Sequence, residues 1–149
     1  MYLDETGFDR TVYRPYGWGR LGCRVRGFRS GQRRPRTSLV AGWIACTKTL
    51  IAPLLFEGTT NTLMFNAWLR EGLLPELPAN SVVVMDNAAF HTSQETKDIL
   101  LKAGHTLLYL PPYSPDLNPI EKVWATLKKI WQNSNGGTLD DTVAMFNPN

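Results

Sequence analysis

Three acidic residues stand in distinctive sequence positions, and their carboxylates are the kind of ligand that holds divalent metal ions. Asp4 lies in the segment LDETGF, Asp86 directly follows the apolar run VVVM, and Glu121 ends the segment SPDLNPIE. The first two positions are where a short apolar run meets a loop, and the third is a predicted helix start. Carboxylates brought together from strand ends and a helix suit a divalent-metal site. The pattern therefore indicates phosphoryl-transfer chemistry on nucleic acid.

The two acids near predicted strands also have structural interpretations. Ligand sites form beyond the carboxyl ends of strands in open α/β sheets, but an Asp at the position of Asp86 can also end a strand as an Asx turn. Asp4 and Glu5 are adjacent, so on a strand they point to opposite faces. A turn predicted at residues 6–8 favours Asp4 as the one that faces a shared site. The alternative for Asp4 is a solvated residue near the chain terminus.

Glu121 has an alternative role as a helix cap. Pro119 disfavours the helical conformation for Asn118, so Asn118 is expected to be the N-cap and Pro119 the first helical residue. Glu121 is then the third helical residue, where a capping-box glutamate reaches back to the amide of the cap. The helix dipole would keep Glu121 ionised, which suits a metal ligand as well as a cap.

Asn87 and His91 form a polar cluster just after Asp86 in the segment DNAAFH. An imidazole at this position could orient a phosphate or a water molecule. His91 could equally be a surface histidine with no chemical role.

Positive charge is concentrated in one part of the chain. Residues 10–56 contain ten basic and no acidic side chains, whereas the rest of the chain contains six basic and 13 acidic ones. One interpretation is a solvated arginine-rich loop, and the other is a surface that binds phosphates through arginine and stacks bases on aromatic rings. The residues of the second interpretation are Arg20, Arg24, Arg26, Arg29, Arg33, Arg34 and Arg36, with Tyr16, Trp18 and Phe28.

The composition predicts one compact domain. The 149 residues are 43% hydrophobic, which is enough for a core. Cys23 and Cys46 lack metal-ligand spacing and are expected to be reduced, partly buried thiols. No secretory signal is recognisable at the start of the chain, and the most apolar stretch, residues 38–56, is interrupted by Lys48 and Pro53. We therefore expect a cytoplasmic protein without a membrane span.

Turn signals and hydrophobic periodicity predict a mixed α/β sheet covered by helices. Early strands are expected to pair antiparallel, and later strands to arrive through helical crossovers. The strand at 81–85 is apolar on both faces and is predicted to be central. The first half of the chain is predicted to form a clipped strand at Asp4, a long loop or irregular hairpin at 9–37, and strands at 38–46 and 50–56. A helix follows at 60–72, stopped by Gly72, with Leu63, Phe65, Trp68 and Leu69 on its apolar face. The second half is predicted to form a strand at 81–85, a helix at 93–103 stopped by Gly104, a strand at 106–110, a rigid loop at 111–118, and helices at 119 to about 132 and at 139–146.

Three segments, LDETGF (3–8), MDNAAFH (85–91) and LPPYSPDLNPIEKVW (110–124), resemble the catalytic blocks of IS630-type transposases in the Tc1/mariner superfamily of DDE transposases. Asp86 and Glu121 are separated by 34 residues, the spacing typical of the Asp-Asp-34-Glu class. The resemblance extends from residue 4 to about residue 131 and is weakest in the basic insertion at 9–37.

The resemblance implies a ribonuclease H-like catalytic domain over residues 1–149. Asp4, Asp86 and Glu121 would hold two Mg²⁺ or Mn²⁺ ions, roughly 4 Å apart, which activate water and then a DNA 3′-hydroxyl. Asn87, His91 and Asn118 would support these ligands or contact DNA. The implied partners are transposon-end and target DNA, with a homodimer in the active complex. The implied location is the bacterial cytoplasm, with association to the nucleoid through DNA.

The chain also departs from the family. Family members carry N-terminal helix-turn-helix DNA-binding domains, and none is recognisable here, so we expect end-specific recognition to be missing and Asp4 to be loosely held. One alternative function is a non-catalytic DNA-binding remnant that contacts phosphates through the basic insertion. Another is a ribonuclease H-like nuclease acting on RNA–DNA hybrids, which the segment 110–124 argues against.

Overall fold

Five strands form one mixed sheet in the order β3-β2-β1-β4-β5. The computed structural model describes residues 1–8, 19–23, 36–112, 114–134 and 138–146. The strands are β1 (Tyr2–Phe8), β2 (Thr37–Ile44), β3 (Thr49–Glu57), β4 (Val82–Met85) and β5 (Thr106–Tyr109). The helices are α1 (Thr62–Trp68), α2 (Leu74–Glu76), α3 (Gln94–Lys102), α4 (Ile120–Asn133) and α5 (Leu139–Phe146), with a π-helical turn at Leu69–Leu73 and a 3-10 turn at Pro115–Leu117.

The pairing of the strands follows the predicted topology. β2 pairs antiparallel with both β1 and β3, and β4 runs parallel to both β1 and β5. The mixed sheet, the antiparallel pairing of the early strands and the central position of β4 are confirmed. Most of the basic insertion at 9–37 lies outside the described residues, so the predicted loop or hairpin is not described there.

The first strand differs from its prediction. β1 is seven residues long and pairs with β2 throughout, from Tyr2 opposite Trp43 to Phe8 opposite Thr37. The predicted turn at 6–8 is therefore wrong, because β2 offers a strand partner to every one of those residues. The clipped first strand was expected to place Asp4 poorly, and this is wrong, since Asp4 lies inside a central strand that pairs with β2 along its whole length.

Helices cover both faces of the sheet, and each face has its own core. On one face Leu3 and Met85 pack with the helical segment that begins with α1, around Phe65 and Trp68. On the other face Phe8 packs with residues of α4 and α5. Because side chains alternate along a strand, Asp4 shares the α4 face with Phe8, and Glu5 shares the α1 face with Leu3.

The helix predicted at 60–72 continues beyond Gly72, through the π-helical turn and α2. Gly72 does not end it; a Cβ at Gly72 would lie only 3.1 Å from Cδ1 of Trp68, so glycine here permits close packing. Trp68 is fixed by donating from Nε1 to the carbonyl oxygen of Ala52 at 2.8 Å. Leu63 was predicted to belong to the apolar face but is 80% exposed.

Two smaller expectations can also be compared with the structure. Cys23 and Cys46 are free, as predicted, but both are exposed, so the expected partial burial is wrong. Within the described residues, no helix combines the length and apolar character needed to cross a membrane.

Gly104 ends α3 as predicted and offers a test of the backbone geometry. The φ angle of Gly104 is +83°. A Cβ added at Gly104 would lie 3.9 Å from its nearest neighbour, Oδ1 of Asn80, so Gly104→Ala would introduce backbone strain without a clash. We expect Gly104→Ala to lower the free energy of unfolding by about 1 kcal/mol, measured by urea denaturation. The exposed substitution Lys102→Ala should change it by less than about 0.5 kcal/mol. Equal values for the two variants would contradict a strained left-handed position.

Candidate active site

Asp4, Asp86 and Glu121 line one cleft of about 450 Å³. Asp4 lies on β1, Asp86 directly follows β4, and Glu121 lies in the first turn of α4. β1 and β4 are parallel neighbours with Tyr2 opposite Val84, so two residues further along each strand Asp4 is level with Asp86. The predicted meeting of these acids at one place is thus seen in the structure. Other lining residues are Asn87, Ala88, Leu110, Pro111, Pro112, Ser114, Pro115 and Asn118.

The carboxylate of Asp4 is held firmly. Asp4 is only 8% exposed, and its Oδ1 accepts a hydrogen bond from the backbone N–H of Glu5 at 2.8 Å. Its Oδ2 accepts from Nδ2 of Asn118 at 3.4 Å and from Nε1 of Trp124 at 3.3 Å. The alternative of a solvated terminal residue is wrong, and so is the expectation of a loosely held side chain.

The electrostatic environment of Asp4 disfavours its charge in the absence of a cation. Burial is the main cause that raises its pKa, from 3.8 to about 7, and the negative charges of Glu121 and Glu5 add to it. The hydrogen bonds from the N–H of Glu5 and from Trp124 act in the opposite direction. A bound divalent cation would reverse this balance, because it favours the ionised carboxylate.

Asp86 is oriented through one of its two oxygens. Its Oδ1 accepts from the N–H of Ala88 at 3.0 Å and lies 2.5 Å from Nδ1 of His91. The bond to Ala88 is the Asx turn that the sequence offered as an alternative, and it coexists with the position in the cleft. The hydrogen bond from His91 lowers the pKa of Asp86, against the effect of burial. No described residue bonds to Oδ2, which leaves that oxygen for a ligand.

His91 lies behind Asp86 and is fully buried. Its Nε2 is 3.5 Å from Oε2 of Glu5. Burial by itself lowers the pKa of His91, but the hydrogen bond to Asp86 and the nearby carboxylate of Glu5 outweigh it and raise the pKa to about 9. The alternative of a surface histidine is wrong, and the buried ring has no surface for a phosphate or DNA to contact. The structure therefore places His91 as a support of Asp86.

Glu121 does not cap its helix. The N–H of Asn118 donates to the carbonyl oxygen of Pro115 at 2.9 Å, so it does not need the carboxylate of Glu121. α4 begins at Ile120, one residue later than predicted, and no side chain caps its start. The capping-box interpretation is wrong, because Asn118 turns its side chain to Asp4 instead. Within the described residues Glu121 makes no side-chain hydrogen bond, and its exposed carboxylate remains free.

Two asparagines shape the cleft in different ways. Asn87 donates from Nδ2 to the carbonyl oxygen of Leu110 at 2.5 Å, which ties the loop after β4 to the end of β5. Asn118 is buried, and its Oδ1 has no hydrogen-bond partner among the described residues. A buried acceptor without a partner is costly, so this oxygen suits a donor supplied by a ligand or its water.

The chemistry of the cleft fits an oxygen-preferring divalent ion. Three carboxylates and an asparagine oxygen are ligands of the kind that Mg²⁺ and Mn²⁺ prefer. However, among the residues described here, no three His, Cys, Asp or Glu side chains already form a metal-binding group. The exposed side chains of Asp86 and Glu121 would have to close around an ion, and the predicted metal ligands stay a prediction.

The basic insertion is described only in part. Arg20 and Arg36 are exposed, as a phosphate-binding role requires. Five other predicted contact arginines and one tryptophan lie outside the described residues, namely Arg24, Arg26, Arg29, Arg33, Arg34 and Trp18. Their DNA-binding role stays a prediction.

Sequence reasoning missed two supporting residues. Glu5 was assigned to the face away from the site, which is correct, but its contact with His91 was not foreseen. Trp124 appeared only as part of a motif. Its position three residues after Glu121 places both on neighbouring turns of one helix face, and this spacing was the available signal.

The chain matches the family model described as DDE superfamily endonuclease over residues 1–142. It is 38% identical over 53 residues to the uncharacterised protein y4pE/y4sA of Sinorhizobium fredii, covering 36% of this chain and 37% of that protein. It is 47% identical over 45 residues to the transposable element Tc3 transposase of Caenorhabditis elegans, covering 30% of this chain and 14% of that protein. The chain thus spans well under half the length of these relatives.

The fold is similar to that of Mos1 transposase. The Mos1 strand transfer complex matches with a TM-score of 0.75 and 20% identity, covering 97% of this chain and 44% of that chain. The Mos1 mariner paired-end complex with Mn matches with a TM-score of 0.71 and 20% identity, covering 94% and 44%. These matches confirm the predicted ribonuclease H-like fold class, and together with the Tc3 match they confirm the resemblance to Tc1/mariner transposases.

The pKa of Asp4 predicts how the stability of the metal-free chain depends on pH. In the unfolded chain Asp4 ionises near pH 4, whereas in the folded chain it stays protonated to about pH 7. Its contribution to stability is therefore fully present below about pH 4 and is lost as the pH rises through 7, on the order of 4 kcal/mol in total. Urea denaturation with a chelator should show this loss in the wild type, and Asp4→Asn should show a shallower pH dependence. The same slope in both proteins would contradict the prediction.

Proposed function

Because this chain belongs to the DDE superfamily endonuclease family, we propose that it cleaves and joins DNA strands in cut-and-paste transposition. The observation that carries the proposal is the meeting of Asp4, Asp86 and Glu121 in one cleft, from two neighbouring parallel strands and the helix packed on them. The branch we propose is the IS630 type of the Tc1/mariner superfamily, which the 34-residue interval and the similarity to Tc3 transposase support.

Asp4, Asp86 and Glu121 would hold two Mg²⁺ or Mn²⁺ ions. Such ions, when bound, would activate water or a DNA 3′-hydroxyl and stabilise the leaving oxygen. The protein contributes position: Asn118 and Trp124 orient the carboxylate of Asp4. His91 holds one oxygen of Asp86 and leaves the other free. Glu121 supplies a third carboxylate that no described side chain engages. The chain would act mainly by orienting groups around the phosphate and compensating its charge.

The proposed substrates are transposon-end and target DNA, and the proposed active complex is a homodimer. The similarity to the Mos1 strand transfer and paired-end complexes supports DNA as the partner, whereas the homodimer rests on the resemblance to the family. Residues 1–149 would serve as the catalytic domain, with the basic insertion at 9–37 as a surface for DNA phosphates. The exposed side chains of Arg20 and Arg36 agree with that role.

A metal-dependent nicking assay tests the proposed chemistry. We expect the wild-type chain to nick duplex DNA carrying a transposon end when Mn²⁺ or Mg²⁺ is present, and to stop when a chelator is added. Asp86→Ala should lower the rate by roughly 100-fold or more, which corresponds to a loss of about 2.7 kcal/mol in transition-state stabilisation. Asp140→Ala, which removes an exposed carboxylate from α5, is the matched control and should nick like the wild type.

The same assay separates the competing functions. If the wild type binds DNA but does not nick it with either ion, and Asp86→Ala binds equally well, the chain is a non-catalytic DNA-binding protein. A substrate panel that includes RNA–DNA hybrids identifies the remaining alternative, since preferential cleavage of the hybrid would indicate a ribonuclease H-like nuclease.

The salt dependence of DNA binding tests the basic surface. Each phosphate contact contributes about 0.9 to the slope of log affinity against log salt concentration. The double variant Arg20→Ala/Arg36→Ala should therefore reduce that slope by nearly two, measured by fluorescence anisotropy. Lys102→Ala/Lys129→Ala removes the same charge from exposed helix positions outside the insertion and is the control. Equal slopes for the two double variants would exclude a specific role for Arg20 and Arg36.

A further inference from the structure

A histidine lies between two carboxylates that belong to opposite faces of the sheet. Nδ1 of His91 is 2.5 Å from Oδ1 of Asp86 at the cleft, and Nε2 is 3.5 Å from Oε2 of Glu5. The ring is fully buried. Carboxylates accept hydrogen bonds and do not donate them when ionised, so the ring can bridge both only by donating from both nitrogens.

The contact between Glu5 and His91 has no substitute within the described part of the chain. Oε2 of Glu5 and Nε2 of His91 are both buried, and neither has a conventional hydrogen-bond partner there. The 3.5 Å ion-pair contact between them is the one polar contact recorded for either atom among the described residues. Removal of the Glu5 carboxylate would leave a buried N–H of His91 without an acceptor, which is unfavourable.

Packing confines the imidazole ring to this orientation. The ring centroids of Phe65 and Phe90 lie 4.8 Å and 4.4 Å from the centroid of the imidazole ring, and their planes are inclined to it by 55° and 68°. The backbone is tied as well, because Tyr109 donates its hydroxyl to the carbonyl oxygen of His91 at 2.9 Å. The N–H of His91 donates to the carbonyl oxygen of Ala88, also at 2.9 Å. The imidazole ring of His91 therefore has little freedom to rotate, so the position of Glu5 constrains the position of Asp86.

We propose that Glu5 is a positioning residue for Asp86 and acts through His91 from the face of the sheet opposite the cleft. The inference rests on the proposed function, since it assigns the purpose of this arrangement to metal binding by Asp86. β1 then contributes to the site in two ways. Asp4 lines the cleft directly, and Glu5 orients the carboxylate of Asp86 from the opposite face of the sheet. With Oδ1 of Asp86 held by His91, Oδ2 is presented to the cleft in a defined direction.

Mn²⁺ affinity in the absence of DNA, measured by titration calorimetry or by the electron paramagnetic resonance of free Mn²⁺, tests this role apart from activity. Glu5→Leu keeps most of the volume of the side chain but offers no acceptor to Nε2 of His91, and we expect it to weaken Mn²⁺ binding about tenfold, as is typical when a group that orients a metal ligand is lost. Circular dichroism would establish that the variant is folded at the temperature of the titration. Glu57→Leu removes the same charge from an exposed position on β3 and should bind Mn²⁺ like the wild type.

A double-mutant cycle separates action through His91 from a simple loss of charge. Glu5→Leu should have little further effect in a His91→Gln background, because the connection to Asp86 is already broken. A purely electrostatic effect of Glu5 would persist there, and additive losses would overturn the proposal. Wild-type affinity in Glu5→Leu, alongside a loss in Asp86→Asn, would overturn this inference alone. If the wild type binds no Mn²⁺, or Asp86→Asn binds it as tightly as the wild type, the proposed function fails and the inference with it.

Discussion

A carboxylate buried on the central strand is the constraint around which this fold is arranged. Asp4 can be buried at β1 only because donors surround it, one from the next residue of its own strand and two from α4 and the residues that precede it. Burial of an acid without such partners costs several kcal/mol. The same donors fix α4 against β1. Since Glu121 lies one turn before Trp124 on α4, the contact that accommodates Asp4 also brings Glu121 to the cleft.

The alternation of side chains along β1 gives the site support from both faces of the sheet. Asp4 points to the face covered by α4, and Glu5 points to the face where His91 is buried among aromatic rings. The carboxylates of Asp4 on β1 and of Asp86 after β4 are consequently held by different cores. Asp4 depends on the packing of α4, whereas Asp86 depends on His91 and on the loop that follows β4. A substitution in one core would therefore displace one of these two carboxylates more than the other.

Several features of the site were predictable because they depend on local sequence. The apolar run before Asp86 predicted a central strand, and the parallel arrangement of strands reached through crossovers predicted that ligands would gather at their carboxyl ends. The stop at Gly104 followed from local backbone chemistry. By contrast, Gly72 was predicted to end a helix and instead lies against Trp68, because a glycine signal does not distinguish backbone freedom from close packing.

The sequence by itself determined which residues are candidates for the chemistry and the interval between them, because residue type and local pattern are readable along the chain. Only the tertiary structure decided how those residues are held. β1 extends through residues 6–8 because β2 pairs with it there, and Asn118 donates to Asp4 rather than capping α4. His91 is buried against the rings of Phe65 and Phe90, with its second nitrogen 3.5 Å from a carboxylate oxygen of Glu5, a residue from a distant part of the chain. Pairings between distant segments have no local signal, so their outcome depends on which donors and acceptors the folded chain brings together.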